Sequence, residues 1–333
     1  MRAIVFDSYG DPDVMRLRNE PVPEPQEGEV LIRVGYAGIN PADSKTRAGH
    51  AARWGYRYVD FPFVIGMDAA GIVERTRVNV TEFKQGDQVI TWGSADGKSW
   101  GSYAEFVRVS VRNVAPMPQS LNFAQAASIP VASLTAFQAL FHAEKGGMIP
   151  GQKVLINGAA GGVGSFAVQF AKSGGLLVAA TCGTANVAYV RSLGADRVID
   201  YKNEDVLQAV RDWSAEGADV VLDAVGPATL RQALDMLRPG GRLVNILTAT
   251  ADGDIERDRK EAERRGFRRI LFIVDFERAR DLMREITHLI DRGLVHAPPI
   301  EVLPLKDAAR AHQMIDTGHV REKLVLKVTE LAA

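Results

Sequence analysis

Two hydrophobic rhythms divide this chain. In the first, Val30, Ile32, Val34 and Tyr36 recur at every second position, the two-residue period of a half-buried strand. The opening Met1–Asp7 reads as a strand too, and Ala69–Val73, Asp87–Thr91 and Tyr103–Val109 as further short ones, with glycines and prolines at the turns. This rhythm predicts an antiparallel β-rich domain over residues 1–123. Ala124–Ala143 then reads as a helical connection. The second rhythm begins at Lys153, where a short apolar strand to Asn157 runs into a helix marked by Val163, Phe166, Ala167, Phe170 and Ala171. Gly174-Gly175 ends that helix. Strands at Leu176–Thr181, Arg197–Asp200, Asp219–Val225 and Gly241–Leu247 follow, each separated from the next by a helical segment. Strands alternating with helices predict an α/β fold with a parallel, doubly wound sheet.

Past these strands come an edge strand at Ile270–Val274 and a long helix with Ala279, Leu282, Met283, Ile286, Leu289 and Ile290 on its core face, closed by Gly293. The tail carries a strand near Ile300–Leu303, a helix over Lys306–Ile315 and a strand over Lys323–Val328. It is too small to fold alone and is expected to pack back on the first domain. The expected division is therefore 1–123 with 295–333, and 124–294 inserted between them. A chain of 333 residues is comfortable for two domains. No internal repeat or low-complexity tract interrupts it.

The turn Gly158-Ala-Ala-Gly161-Gly-Val-Gly164 joins the first parallel strand to its helix. Such a turn places free backbone N–H groups and the positive end of a helix dipole where a pyrophosphate can sit. It proposes a dinucleotide site. The usual pattern is G-x-G-x-x-G, and Ala159 occupies the first glycine position. Gly161 still allows the backbone to approach a pyrophosphate, and Gly164 still allows helix and strand to pack closely.

Composition narrows the classes. With 46% hydrophobic and 24% charged residues and a formal net charge of -1, nothing draws the whole chain to nucleic acid or an anionic membrane. The charge cluster Glu256–Arg269 mixes both signs and reads as a solvated helix face. One cysteine, Cys182, excludes a disulfide framework within the chain and reads as a small core or cofactor-pocket residue. No apolar run approaches the ~20 residues that span a bilayer. The N-terminus lacks the apolar core of a signal peptide, so a cytoplasmic location is expected. The histidines His50, His142, His288, His296, His312 and His319 show no metal-ligand spacing. There is no G-x-S-x-G elbow, no P-loop lysine and no paired carboxylates set as acid and base.

Gly38-Ile-Asn40-Pro-Ala-Asp-Ser-Lys45-Thr-Arg-Ala-Gly49, Gly66-Met-Asp68-Ala-Ala-Gly71, Gly86-Asp-Gln-Val, Gly101-Ser-Tyr-Ala-Glu-Phe and the Ala159-Ala-Gly-Gly-Val-Gly turn stand in this order along essentially the whole chain. Together they resemble the medium-chain dehydrogenase/reductase superfamily, and within it the zinc-free quinone oxidoreductase and enone (alkenal) reductase branch. The resemblance implies a GroES-like catalytic domain beside a Rossmann domain. In the zinc alcohol dehydrogenases of the superfamily, a catalytic cysteine falls where this chain has Asn40 and a metal-binding histidine where it has Met67. Zinc needs three N, S or O ligands besides an open position. Asn40 and Met67 supply neither thiolate nor imidazole, the cysteine-rich structural-zinc lobe is absent, and Asp68 alone cannot hold the ion. No metal site is expected, and zinc-type alcohol dehydrogenase becomes the rival reading. A further rival is a nucleotide-binding sensor or structural protein with little catalysis of its own.

A metal-free site suits hydride delivery to an already electrophilic acceptor, a quinone or a conjugated C=C–C=O. Hydride addition to an enone creates an enolate, so a donor or cation should face the carbonyl oxygen. Asn40 and Lys45 are the candidates, and in similar enone oxidoreductases the lysine of this motif lies near the nicotinamide ribose. The proton would come from solvent or a tyrosine, with Tyr56 and Tyr58 in a loop expected to border the cleft. NAD-specific sites place an acid at the end of the second strand. Here that stretch is Thr181-Cys-Gly183-Thr184-Ala-Asn186, without one, and Thr184 and Asn186 can donate to a 2′-phosphate. The expected cofactor is therefore NADPH. By resemblance Tyr201 flanks its adenosine phosphate, and Arg321 or Lys323 adds charge from the tail. The cofactor set is completed by Ala160, Gly161, Gly162, Val163 and Gly164 of the turn, with Thr135, Val225 and Leu247. The partners expected are a small-molecule substrate and a second copy of the chain, joined near Ile270–Val274, as in the family.

Overall fold

The computed structural model describes residues 1–53, 59–92, 101–142, 144–226, 230, 232–246, 255–276, 279–318 and 320–331. The chain forms two compact units. The first holds Met1–Ala132, Phe276–Gly293 and Ala297–Ala333, and the second Ser133–Asp275 with Leu294–His296. The first unit thus reaches beyond residue 123, and it takes in the helix Ala279–Asp291, which the sequence reading assigns to the nucleotide domain. That helix buries Ala279, Met283, Ile286 and Ile290 and packs on the strand Val114–Pro116.

In the first unit the main sheet runs in the order Ile300–Pro304, Lys323–Lys327, Glu29–Gly38, Asp68–Thr76, Gln88–Thr91, Val114–Pro116, with Phe106–Ser110 also paired to Glu29–Gly38. A smaller sheet joins Arg16–Asn19, Arg2–Phe6 and Phe63–Val64. Val30, Ile32 and Val34 all point into a core shared with Val73, Val89, Val107, Leu324 and Leu326. The sheet is mixed, not purely antiparallel. Helix Ala308–Asp316 carries the chain back across the sheet, so Lys323–Lys327 lies parallel to Ile300–Pro304. Lys323–Lys327 is in turn antiparallel to Glu29–Gly38, which ties the tail to the N-terminal strands.

The second unit is a six-stranded parallel sheet in the order Arg197–Asp200, Leu177–Cys182, Lys153–Asn157, Ala218–Asp223, Leu237–Asn245, Arg268–Leu271. Numbered by sequence this is 3-2-1-4-5-6, the order of a dinucleotide-binding fold. Helices Gly162–Ser173, Val187–Ser192, Val206–Trp213 and Ile255–Arg264 belong to this unit. Between the fourth and fifth strands, the described residues hold only a 3-10 turn at Ala233–Met236 where a helix is expected. The order reverses between Lys153–Asn157 and Ala218–Asp223, and ligands of such sheets bind outside the carboxyl ends of the strands at that switch.

Candidate active site and dinucleotide rim

At the rim of the parallel sheet, Gly158 carries the left-handed conformation that the turn requires, with φ +80°. That explains the off-pattern alanine. Ala159, fully buried, has only to donate its N–H to the Thr181 carbonyl, so no glycine is needed there. A Cβ on Gly164 would lie 2.2 Å from the Gly158 oxygen, so only glycine lets the helix start this close to the strand. The helix Gly162–Ser173 opens with no side-chain cap, and the N–H groups of Gly162, Val163 and Gly164 have no acceptor among the described residues. These groups, with the half-exposed Ala160 and Gly161, fit a pyrophosphate.

A buried carboxylate organises this rim. Asp223 accepts from Asn157 Nδ2 at 2.8 Å, Asn245 Nδ2 at 2.9 Å, and the Val225 and Gly226 N–H groups at 3.1 and 2.9 Å. Asn157 Oδ1 accepts from Thr181 Oγ1 at 2.7 Å, which in turn accepts from the Gly158 N–H at 3.3 Å. The ends of four parallel strands are thus stitched together beneath the glycine turn. Sequence reasoning missed this set, although each of those strands carries a polar residue at or next to its carboxyl end after an apolar run.

Beside it lies the expected adenosine pocket. Tyr201 is 43% exposed, and its hydroxyl stands 3.4 Å from where a Gly183 Cβ would be. The parallel register sets Asp200 opposite Cys182, which brings a carboxylate from the third strand to the acid-free end of the second. The Thr184 hydroxyl, expected to serve a phosphate, hydrogen-bonds this carboxylate and holds its pKa below the usual range. Asn203 Nδ2 also reaches Asp200, at 2.7 Å, and Thr184 Oγ1 at 3.1 Å. Lys202 donates its N–H to Asp200 and holds its ammonium 5.2 Å from the Tyr201 ring centre. Asn186 is half-buried and Val225 exposed on the same rim, while Thr135 is buried in the second unit. Burial pushes the Cys182 thiol up to about 11, so it stays protonated and is no nucleophile at neutral pH. Leu247 and Tyr56, with Tyr58, lie outside the described residues.

The second cluster belongs to the first unit. Gly38 pairs with Asp68 on one side and Val325 on the other, so three strands meet just before Asn40. A Cβ on Gly38 would fall 2.2 Å from the Ala127 oxygen, so glycine alone allows this approach. Asn40 caps the helix Pro41–Arg47 and is 3% exposed. Its N–H donates to Asp43 Oδ2 at 2.8 Å and its Nδ2 to Asp68 Oδ2 at 2.9 Å. Lys323 Nζ donates to Asn40 Oδ1 and lies 4.0 Å from Asp68 Oδ2. Asp68 Oδ1 accepts from the Val131 N–H at 3.1 Å. Burial raises the Asp68 carboxyl to about 6 against the opposing pull of Lys323, Asn40 and Val131. Burial likewise lowers Lys323, against Asp68 and Asp43. Lys323, expected to lend charge to a cofactor phosphate, has its buried ammonium engaged by Asn40 and Asp68.

Lys45 sits on the helix that Asn40 caps, half-buried, and its ammonium has no hydrogen bond or ion pair among the described residues. Burial brings its pKa down to about 8. Through Asp43 the cluster joins a hydrogen-bonded chain that the sequence reading also missed. The Tyr103 hydroxyl meets Asp43 Oδ2 and His312 Nε2, each at 3.3 Å.

Comparison with known proteins agrees with this architecture. Residues 26–119 match the family model for the alcohol dehydrogenase GroES-like domain, and residues 193–326 that described as zinc-binding dehydrogenase. The NAD(P)H oxidoreductase RTN4IP1, mitochondrial, of Danio rerio is 33% identical over 99% of this chain and 92% of its own length. The chloroplastic NADPH-dependent alkenal/one oxidoreductase of Arabidopsis thaliana is 34% identical over 98% of this chain and 79% of its own. The structure of the quinone oxidoreductase from Coxiella burnetii superposes with a TM-score of 0.87 at 34% identity, covering 99% of each chain.

One of those family descriptions implies zinc, and the donor set here does not fit it. Asn40 offers an amide already bonded at both ends, and Met67 a thioether. Asp68 faces a lysine ammonium, a fixed positive charge that repels a second cation. Among the described residues no three His, Cys, Asp or Glu side chains gather as a metal-ligand group. No helix of the described residues is long and apolar enough to cross a membrane.

Proposed function

Because the chain belongs to the quinone oxidoreductase and alkenal/one oxidoreductase branch of the medium-chain dehydrogenase/reductase superfamily, a group of NAD(P)H-dependent oxidoreductases, we propose that it reduces quinones or the C=C bond of α,β-unsaturated carbonyls with NADPH and without a metal. When bound, the nicotinamide supplies the hydride. The observation that carries the reading is the Lys45 ammonium, half-buried and unpaired among the described residues, on the helix that Asn40 caps. Reduction of a conjugated carbonyl leaves negative charge on the acceptor oxygen, and a donor pre-set for that charge stabilises the transition state more than the ground state. Asn40 and Lys45 are two such donors. The proton that completes the saturated product comes from solvent.

Gly162, Val163 and Gly164 hold the pyrophosphate through backbone N–H groups where Gly161 lets it approach, and Tyr201 flanks the adenosine. Asn186 and Lys202 are the groups left to meet a 2′-phosphate, since Thr184 is engaged by Asp200. The decisive experiment is NADPH and NADH consumption against matched panels of quinones, enals and enones, with product identification and metal analysis. The reading expects turnover by metal-free protein, with NADPH preferred. Turnover that requires stoichiometric zinc overturns it, and NADPH binding without oxidation by any acceptor assigns the chain to a binding role instead.

A further inference from the structure

Lys323 and Asp68 bracket the Asn40 side chain from its two ends. The ammonium occupies the oxygen end and the carboxylate the nitrogen end, and all three residues are at least nine-tenths buried. A side-chain amide is nearly symmetric in shape, so packing alone holds its two orientations poorly apart. Charge does so here. Rotating the amide by half a turn would set its NH2 against the ammonium and its oxygen against the carboxylate, and both contacts repel in a site of low dielectric. Asn40 Nδ2 carries two hydrogens, of which Asp68 takes one at 2.9 Å. The second remains with a fixed direction, and the ammonium on Oδ1 polarises the amide and makes that N–H a stronger donor.

We propose that Lys323 is a positioning residue for the reductase: its ammonium, balanced by Asp68, locks the Asn40 amide so that one Nδ2–H is presented to the acceptor's carbonyl oxygen. This rests on the reading of Asn40 as a donor in carbonyl-directed hydride transfer. In that step the hydride forms the new C–H bond, the C=C pair moves toward the carbonyl oxygen, and the proton that follows comes from solvent. Lys323 exchanges no proton or electron in it. A fixed ammonium beside Asn40 thus orients a neutral donor in the place where zinc relatives of the superfamily hold a metal ligand.

The test compares Lys323→Met, the charge-balanced pair Asp68→Asn/Lys323→Met, Asn40→Ala and the combination Asn40→Ala/Lys323→Met. NADPH affinity is read by quenching of tryptophan fluorescence, and kcat and KM with a quinone or enone that the native protein reduces. Both Lys323 variants should bind NADPH within about twofold of native, with kcat reduced by roughly tenfold or more and KM little changed. Adding Asn40→Ala should cost nothing further, because the two changes remove one device. Should the single Lys323→Met fail to fold, with Asp68 left buried and uncompensated, the balanced pair carries the test. Native kcat in the folded variants, or losses that multiply with Asn40→Ala, overturns the proposal. A weakening of NADPH binding by about tenfold or more at unchanged kcat overturns it in favour of a phosphate ligand. If the native protein reduces neither quinones nor enones, the functional reading fails and the proposal with it; if it does and the variants are silent, only the proposal fails.

Discussion

At the scale of single residues, the cluster around Asn40 sets two nearby cations in contrasting states. Lys323 is buried and engaged, while Lys45 is half-buried and unpaired among the described residues, with its pKa brought down to about 8. If the Lys45 ammonium stabilises the developing oxyanion, kcat/KM should fall as pH rises through about 8, since deprotonation removes the charge. Lys45→Arg, which stays charged, should lose that alkaline limb, and Lys45→Met should be slower by roughly tenfold to a hundredfold across the range. Steady-state pH profiles of the three proteins check this. An alkaline limb unchanged in Lys45→Arg would assign it to another group. Lys45 and Asn40 are legible in the sequence because their motif names them. The partners of Asn40 are not, since Asp68 lies 28 residues away and Lys323 lies 283.

At the scale of elements, strand ends do most of the positioning. The 2.0 and 3.6 periods locate the longer strands and helices to within a few residues, because each buries one regular set of side chains, and miss short elements such as Arg16–Asn19, Pro41–Arg47 and Val114–Pro116. The parallel pairing of the tail escapes that reading, since it follows from where neighbouring elements lie. Helix Ala308–Asp316 shows the same dependence in its His312, an unremarkable residue in the sequence. Burial, helped by the Arg47 charge and opposed by Asp316, pushes its imidazole down to about 3, so it is neutral in the folded protein. The unfolded imidazole takes a proton near pH 6.5. The contribution of His312 to stability is therefore complete above that pH and is lost as pH falls toward 3, at up to ~1.4 kcal/mol per unit. Asp68, raised to about 6, has the opposite slope between its unfolded value and 6, because there the folded state binds the extra proton. Comparing native protein with His312→Gln isolates the first effect. On going from pH 7 to pH 5, the melting temperature of native protein should fall further than that of the variant, as read by circular dichroism. Equal falls would refute a neutral His312.

At the scale of the whole molecule, the parallel sheet ends in the strand Arg268–Leu271, paired on one side only among the described residues and followed by the exposed Ile273. Exposed apolar edges invite pairing with a second copy. Light scattering is expected to give twice the chain mass, and Ile270→Glu to give a monomer that still binds NADPH; a native monomer would leave this edge unpartnered. The sequence by itself determined the strand–helix alternation, the glycine turn and the metal-poor donor set, because each is carried by local spacing or residue type. It also singled out Asn40 and Lys45 as candidates. Only the tertiary structure decided what surrounds them. Sheet register brings Asp200 beside Thr184 and draws Asn157, Thr181 and Asn245 around Asp223, and three strands meeting at Gly38 place Lys323 on Asn40. Charges and hydrogen bonds act across a few ångströms of space, whatever the separation along the chain.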